Sequence, residues 1–170
     1  LHPLNFINYI FDMRIGILSY RSLHRQAAKE ELEMQKIARL KGHTCRIYRA
    51  TRFQMVYDQK SPWLLYNGKK FPHCDVIITR PSVLNNVNLQ VSLIEQMEMA
   101  GLLLFNRCES ILNTKNKIKT MQILNHYGIP IPKTVVVRRK EDLTQAVKLL
   151  GGFPVIVKQP TGSFGTGVTI

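Results

Sequence analysis

Short, almost continuously apolar runs alternate along this chain with longer segments whose apolar residues recur at helical spacing. The apolar runs cover residues 13–19, 43–50, 75–79 and 102–105, and the helical segments cover residues 26–40 and 87–100. Strands that are apolar on both faces and separated by helices are typical of a parallel sheet covered on both sides. The pattern therefore predicts an α/β fold whose first domain, over residues 13–108, is a small parallel sheet.

Two segments of this first half do not follow the alternation. Residues 52–61 are predicted to be a loop. The following segment contains Asn67-Gly68, the dipeptide that favours a tight hairpin turn. Residues 1–12 lack the charged start of a signal peptide and are interpreted as an extension before the first strand.

A second domain is predicted from residue 109 onwards. Thr114 is a candidate N-cap for a helix over residues 115–127, and Ile129-Pro-Ile-Pro132 indicates an extended entry to a strand over residues 133–137. A further helix is expected up to residue 150. Residues 153–157, apolar and β-branched, then predict a strand.

The stretch after that strand carries the strongest chemical signal in the chain. Lys158 is followed by Gly162, Gly165 and Gly167. Glycines let a backbone turn tightly and bring its N–H groups close to an anion, and lysine adds the charge that a polyphosphate requires. The order of strand, lysine, glycine loop and strand is that of a hairpin covering phosphates, although a plain glycine-rich turn has the same pattern. No Gly-Lys-Ser/Thr closes the loop, which excludes a Walker motif.

Charge and cysteine content narrow the class of protein. The 24 Lys and Arg residues against 11 Asp and Glu residues give a net charge of +13, which favours anionic partners such as nucleotides, RNA or acidic polypeptides. The longest basic run is Arg138-Arg139-Lys140, which is better explained as a solvated loop. Cys45, Cys74 and Cys108 are widely spaced, which favours buried thiols in a reducing, cytoplasmic compartment over disulfides or a zinc site. No apolar run approaches the roughly 20 residues of a membrane-spanning helix.

Three motifs in the second half occur in an order found in a known superfamily. They are Asn116-Lys117 at the head of a helix, Gly128-Ile-Pro-Ile-Pro132 after it, and Pro154-Val-Ile-Val-Lys158 leading to Gly162-Ser-Phe-Gly-Thr-Gly-Val168. This order resembles the ATP-grasp ligases, in which two lysines contact ATP and a glycine loop closes over its phosphates.

The first half sharpens the resemblance. Met13-Arg-Ile-Gly-Ile-Leu-Ser19, Asn67-Gly-Lys-Lys-Phe-Pro-His-Cys-Asp75, Thr79-Arg80-Pro81 and Gln96-Met-Glu-Met-Ala-Gly101 look like the RimK-type α-L-glutamate ligases. The resemblance covers residues 13–170. It implies a pre-ATP-grasp domain over residues 13–108 and the start of an ATP-grasp nucleotide-binding domain over residues 109–170.

The resemblance also implies roles for particular residues. Lys117 and Lys158 would bind the ATP phosphates, and the loop above them would consist of Gly162, Ser163, Gly165 and Gly167. Without this resemblance, Lys117 is better explained as a solvated lysine on a helix. Asn116 departs from the family, which often has an acidic residue before the first lysine. Arg80 ends a predicted strand, where ligands collect in such sheets, and is a candidate substrate contact or a residue that stabilises the strand end.

The implied reaction activates a carboxylate as an acyl phosphate and joins it to an amine, with ATP and Mg²⁺. Glutamate would be added to a protein, such as a ribosomal protein, or to a small-molecule acceptor. The second domain contains only Glu109, Glu141 and Asp142 as acidic residues. Catalytic residues and metal ligands are therefore expected outside these 170 residues, which alone should be inactive. The alternative is a non-catalytic, truncated ligase that acts as a basic RNA- or protein-binding module, and homo-oligomerisation is left open.

Overall fold

The structure, a computed structural model, describes residues 12–21, 26–59, 62–80, 87–160 and 167–169. They form two compact units, called here unit 1 (up to Cys108) and unit 2 (from Glu109). Three predicted loop residues, Gly162, Ser163 and Gly165, lie outside the described residues, as do residues 1–11 of the predicted extension.

Unit 1 contains seven described strands and two helices. The strands are β1 (Arg14–Ser19), β2 (Thr44–Arg49), β3 (Phe53–Val56), β4 (Trp63–Tyr66), β5 (Lys69–Lys70), β6 (Val76–Arg80) and β7 (Leu104–Phe105), and the helices are α1 (Lys29–Leu40) and α2 (Val87–Met99). Four of the strands form a parallel sheet in the order β2-β1-β6-β7. The predicted α/β class with a small parallel sheet is confirmed.

The core of unit 1 lies where the central strands meet the second helix. Ile17, Leu18 and Ile77 from the sheet, together with Ile94 and Met97 from α2, are almost completely inaccessible to solvent. Ile94 and Met97 are three positions apart and therefore share one face of the helix. Burial of these apolar side chains stabilises unit 1.

The prediction of a loop over residues 52–61 is wrong in its first part. Residues 53–56 form β3, which pairs antiparallel with β4 and so joins a second sheet in the order β3-β4-β5. Residues 53–56 have the sequence Phe-Gln-Met-Val, and their pairing with the hairpin makes them a strand. The hairpin itself is confirmed, since Asn67 and Gly68 both have positive φ angles, 52° and 74°. Two positive φ angles in succession are the requirement of a type I′ turn.

Unit 2 contains three helices and a short hairpin among its described residues. The helices are α3 (Cys108–Lys115), α4 (Lys117–His126) and α5 (Leu143–Leu150), and the strands are β8 (Val157–Lys158) and β9 (Val168–Thr169). Thr114 was predicted as an N-cap but lies inside α3, where its hydroxyl donates to the carbonyl of Ser110. Residues 133–137 were predicted as a strand, but they make no ladder with any described residue and are irregular. Of the predicted strand over residues 153–157, only Val157 belongs to a strand in the structure, as the first residue of β8.

Candidate nucleotide site

A two-stranded hairpin places Lys158 at the base of the glycine-rich segment. β8 and β9 pair antiparallel, with Val157 opposite Thr169 and Lys158 opposite Val168. The Gln159 N–H donates to the Gly167 carbonyl over 2.8 Å, one step beyond the last strand pair. The described residues on both sides of the loop therefore follow the predicted order of strand, lysine, loop and strand.

Gly167 has a conformation and a neighbour that both favour glycine. Its φ angle is +73°, in the left-handed region that other residues rarely adopt. A Cβ atom at this position would lie 2.7 Å from Cδ and Oε1 of Gln159. The glycine thus lets the two sides of the hairpin approach closely where the loop rejoins β9.

Lys117 is the first residue of α4, and its position is fixed from two sides. Asn116 is the N-cap, and its Oδ1 accepts from the amides of Ile118 at 3.0 Å and Lys119 at 3.2 Å. The Lys117 N–H donates to the carbonyl of Pro160 over 2.9 Å. These bonds occupy the first backbone N–H groups of the helix, so these groups do not bind an anion. The start of α4 would contribute to an anion site through the Lys117 side chain. The bond to Pro160 also ties the helix to the base of the glycine loop.

The two predicted lysines meet at one cavity. Lys117 and Lys158 both line a cavity of about 220 Å³ inside unit 2. Most of the remaining lining is apolar and comes from residues 135–137, α5 and residues 155–157. Two cations beside an apolar wall suit a nucleotide, because the base can pack on the wall while the phosphates face the lysines. The structure therefore brings together two residues that are 41 positions apart (158 minus 117).

A larger groove of about 750 Å³ borders residues 135–139 and α5 but contains neither lysine. Its cations are Arg138 and Arg139. Arg139 forms an ion pair with Asp142 over 2.8 Å, which partly neutralises the groove. Size alone therefore does not identify the anion site, and the smaller cavity has the better chemistry for phosphates.

Sequence reasoning missed two of the contacts that hold the site together. Pro160 accepts from the Lys117 amide, and Gln159 packs against Gly167. A backbone carbonyl and a neutral side chain give no local sequence signal of such roles. Lys115, at the end of α3, was also not predicted; partial burial lowers the pKa of its ammonium group.

Arg80, the candidate substrate contact, belongs to unit 1. It is the last residue of β6, its side chain is exposed, and it lies opposite Ser19 in the sheet register. Arg80 is not among the residues that line the lysine cavity of unit 2.

Other kinds of site find little support in the described part of the chain. It holds no group of three or more His, Cys, Asp or Glu side chains placed to share a metal ion. All three cysteines are free and buried, and burial raises the pKa of each thiol, that of Cys108 to about 11. None of them is therefore a thiolate nucleophile near neutral pH. Across the same residues, the helices are too short or too polar to span a bilayer.

We expect Asn116→Ala to lower the free energy of unfolding by about 1 kcal/mol, because two amides at the start of α4 lose their acceptor. Asn116→Asp keeps an oxygen at the same place and should retain the stability of the native protein. Urea denaturation of the three proteins measures the difference. Equal losses for the two variants would show that the cap does not hold α4.

The sequence matches two family descriptions that divide it close to the boundary between the units. Residues 13–111 match the RimK PreATP-grasp domain, and residues 114–170 match the RimK-like ATP-grasp domain. Among curated proteins, it is 27% identical over 158 residues to a protein of Teredinibacter turnerae named "Probable alpha-L-glutamate ligase". It is 30% identical over 159 residues to a protein of the same name from Vibrio cholerae. Each alignment covers 93% of this chain and 51% of the relative, so the chain spans about half the length of these proteins.

Solved structures with the same fold are ATP-grasp proteins. The RimK domain protein ATP-grasp from Sphaerobacter thermophilus has a TM-score of 0.61 at 19% identity, over 91% of this chain and 52% of that one. The ATP-grasp ligase PsnB, complexed with the precursor peptide PsnA2 and AMPPNP, has a TM-score of 0.62 at 14% identity, over 89% and 56%. Taken with the two domain matches, this likeness shows that the chain belongs to the RimK-type ATP-grasp family.

Proposed function

We propose that this chain is part of an ATP-dependent carboxylate–amine ligase that adds glutamate to an acceptor. The observation that carries the proposal is the cavity lined by both Lys117 and Lys158 beside the glycine hairpin. The family match and the curated relatives named as glutamate ligases support the same reading. The acceptor is proposed to be a protein, such as a ribosomal protein, or a small molecule, and the setting is proposed to be cytoplasmic.

In this proposal the two lysines hold the ATP phosphates from different elements. Lys117 approaches from the start of α4 and Lys158 from β8. Their charges would stabilise the polyphosphate through charge-assisted hydrogen bonds. Gly162, Ser163, Gly165 and Gly167 are proposed to form the loop that covers the phosphates. Its base is fixed by the bond between Lys117 and Pro160 and by the bond between Gln159 and Gly167.

The proposed reaction has two steps. A carboxylate oxygen attacks the γ-phosphorus of ATP, and the bond from that phosphorus to the β-phosphate oxygen breaks. The products of this step are ADP and an acyl phosphate. The amine nitrogen then attacks the acyl carbon, inorganic phosphate leaves, and loss of a proton from nitrogen gives the amide. The lysines contribute by positioning and by charge stabilisation, which are the main protein contributions to phosphoryl transfer.

Mg²⁺ is proposed as a cofactor of the whole ligase, and a solved complex of PsnB contains Mg and ADP. The described residues of this chain do not fit a magnesium site, because they offer no cluster of carboxylates for an ion that prefers oxygen ligands. The roles proposed for Lys117 and Lys158 therefore do not involve the metal, and the metal ligands are proposed to lie outside these residues.

Turnover by the full-length protein tests the proposal. L-glutamate carries both a carboxylate and an amine, so it can supply both reactants in a first assay with ATP and Mg²⁺. We expect ADP, inorganic phosphate and the amide to form in equal amounts. ADP release without amide formation, or no dependence on glutamate or other carboxylates and amines, would refute the ligase assignment.

A non-catalytic, basic binding module is the second candidate, and the charge of unit 2 favours it. From residue 109 onwards the chain has nine Lys and Arg residues against three Asp and Glu residues. Such a module would bind RNA with an affinity that falls steeply with salt. Titration of the full-length protein with RNA at several salt concentrations, beside the turnover assay, separates the candidates: RNA binding without turnover supports the module.

A further inference from the structure

The parallel sheet of unit 1 has a single place where its connections change direction. From β1 the chain moves to β2 on one side, and β6 and β7 then lie on the other side of β1. In open parallel sheets the ligand crevice lies at such a switch point, outside the carboxyl ends of the strands. In this sheet, that point is between β1 and β6.

Two arginines flank the end of β1 at this point. Ser19 is the last residue of β1, and its register partners are Arg49, which ends β2, and Arg80, which ends β6. Neighbouring strands are about 4.8 Å apart, and residues in register point to the same face of a sheet. The side chains of Arg49 and Arg80 therefore leave the backbone at the same edge and on the same face of the sheet, one on each side of Ser19.

A buried hydrogen-bond network holds one of the two arginines. The Ser19 hydroxyl, which is completely buried, donates to Glu31 Oε2 over 3.0 Å. It also accepts from Arg49 Nη1 over 3.4 Å. Glu31 is only 3% exposed, and its Oε2 also accepts from the Ala28 amide over 2.8 Å. The network therefore holds the Arg49 guanidinium beside Ser19 at the end of β1.

Arg80 adds a second guanidinium on the other side of Ser19. Its side chain is exposed, and among the residues that the structure describes none forms a hydrogen bond or ion pair with its guanidinium. The Arg80 side chain is therefore able to contact a ligand at the switch point. A guanidinium presents two parallel N–H groups, which match the two oxygens of a carboxylate.

We infer that Arg80, assisted by Arg49, binds the carboxylate of a small substrate at the carboxyl edge of the unit 1 sheet. Arg80 contacts the ligand, whereas Ser19 and Glu31 are positioning residues that act through Arg49. The inference rests on the proposed function, because that function supplies an amino acid as the carboxylate-bearing substrate. It adds to that function a carboxylate-binding role for residues of unit 1.

Arg80→Gln in the full-length protein tests the inference, with L-glutamate as the probe. We expect the Kd for L-glutamate, measured by calorimetry, to rise roughly ten-fold or more because charge-assisted hydrogen bonds are lost. The KM for glutamate should rise with little change in kcat, and Arg80→Lys should recover part of the affinity. Arg52→Gln removes an exposed arginine elsewhere in unit 1 and is the matched control. Ser19→Ala should produce a smaller rise, through the loss of one contact to Arg49.

The outcomes distinguish this inference from the proposed function. Unchanged glutamate affinity in Arg80→Gln, with normal ATP binding, would overturn the carboxylate site and leave the ligase proposal standing. If the native protein binds glutamate through Arg80 but does not bind ATP, the nucleotide assignment of the lysine cavity fails and the carboxylate site at Arg80 stands. If inorganic phosphate displaces glutamate from Arg80 at equal or lower concentration, the site is not selective for carboxylates and the inference fails.

Discussion

Replacing Lys158 with alanine is expected to weaken ATP binding at least ten-fold and to leave AMP binding nearly unchanged. Lys158 lines the cavity at the base of the glycine hairpin, and the loss of charge-assisted hydrogen bonds to phosphate is worth about 1.5–3 kcal/mol. AMP lacks the β- and γ-phosphates, so it should be insensitive to this loss. Titration of the full-length protein with each nucleotide gives the two affinities.

Lys117→Ala should have the same selective effect, because Lys117 lines the same cavity from α4. Lys148→Ala is the matched control, since Lys148 is an exposed lysine of α5 that does not line the cavity. The phosphate assignment would be refuted by an equal loss of ATP affinity in the control. It would also be refuted if the Lys117 and Lys158 variants lost as much affinity for AMP as for ATP.

Gly167→Ala is expected to lower ATP affinity by roughly ten-fold. A residue with a Cβ pays about 1–2 kcal/mol in the left-handed region, and the φ angle here is +73°. The new methyl group would also meet the Gln159 side chain at 2.7 Å. Both effects act at the point where the loop rejoins β9, so they should impair the closed hairpin that the phosphates require. Titration with ATP measures the loss.

The Gln159→Ala variant separates the two causes. Alone it should have little effect on ATP affinity, because the backbone bond from Gln159 to Gly167 remains. Combined with Gly167→Ala it removes the steric conflict and leaves the φ strain, so the double variant should recover part of the lost affinity. If Gly167→Ala binds ATP as tightly as the native protein, the hairpin does not need a glycine at this position.

The hydrophobic pattern predicts unit 1 well because most of its sheet strands are short apolar runs. β1 and β6 are rich in buried apolar residues, β2 buries Cys45 and Tyr48, and α2 has a buried face with residues at helical spacing. β3 could not be predicted in this way. Its strand state depends on pairing with β4, a contact that no pattern within residues 52–61 contains.

The start of α4 shows the limit of capping rules. Thr114 and Asn116 are both residues that favour N-caps, and only the structure shows that α3 continues through Thr114. Asn116 then caps α4 with two hydrogen bonds, a role that the acidic residue of the family can also perform. The departure from the family pattern therefore keeps the local structure.

Lys158 was predicted from the glycine-rich stretch that follows it, whereas Lys117 was predicted only from the family resemblance. Each lysine by itself is compatible with an ordinary solvated position, and their 41-residue separation gives no sign of proximity. Tertiary structure brings them to one cavity through the bond between Lys117 and Pro160 and the pairing of Lys158 with Val168. Such contacts are made by backbone groups, which carry no residue-specific signal.

Transfer of labelled oxygen tests the central proposal most directly. The full-length protein is incubated with ATP, Mg²⁺ and L-glutamate whose carboxylates carry ¹⁸O, and the released inorganic phosphate is analysed by mass spectrometry. An acyl phosphate mechanism predicts one ¹⁸O atom in each phosphate released with amide, because the carboxylate oxygen that attacks the γ-phosphorus leaves with it. Amide formation with unlabelled phosphate would contradict the mechanism, and release of unlabelled phosphate without amide would indicate simple ATP hydrolysis.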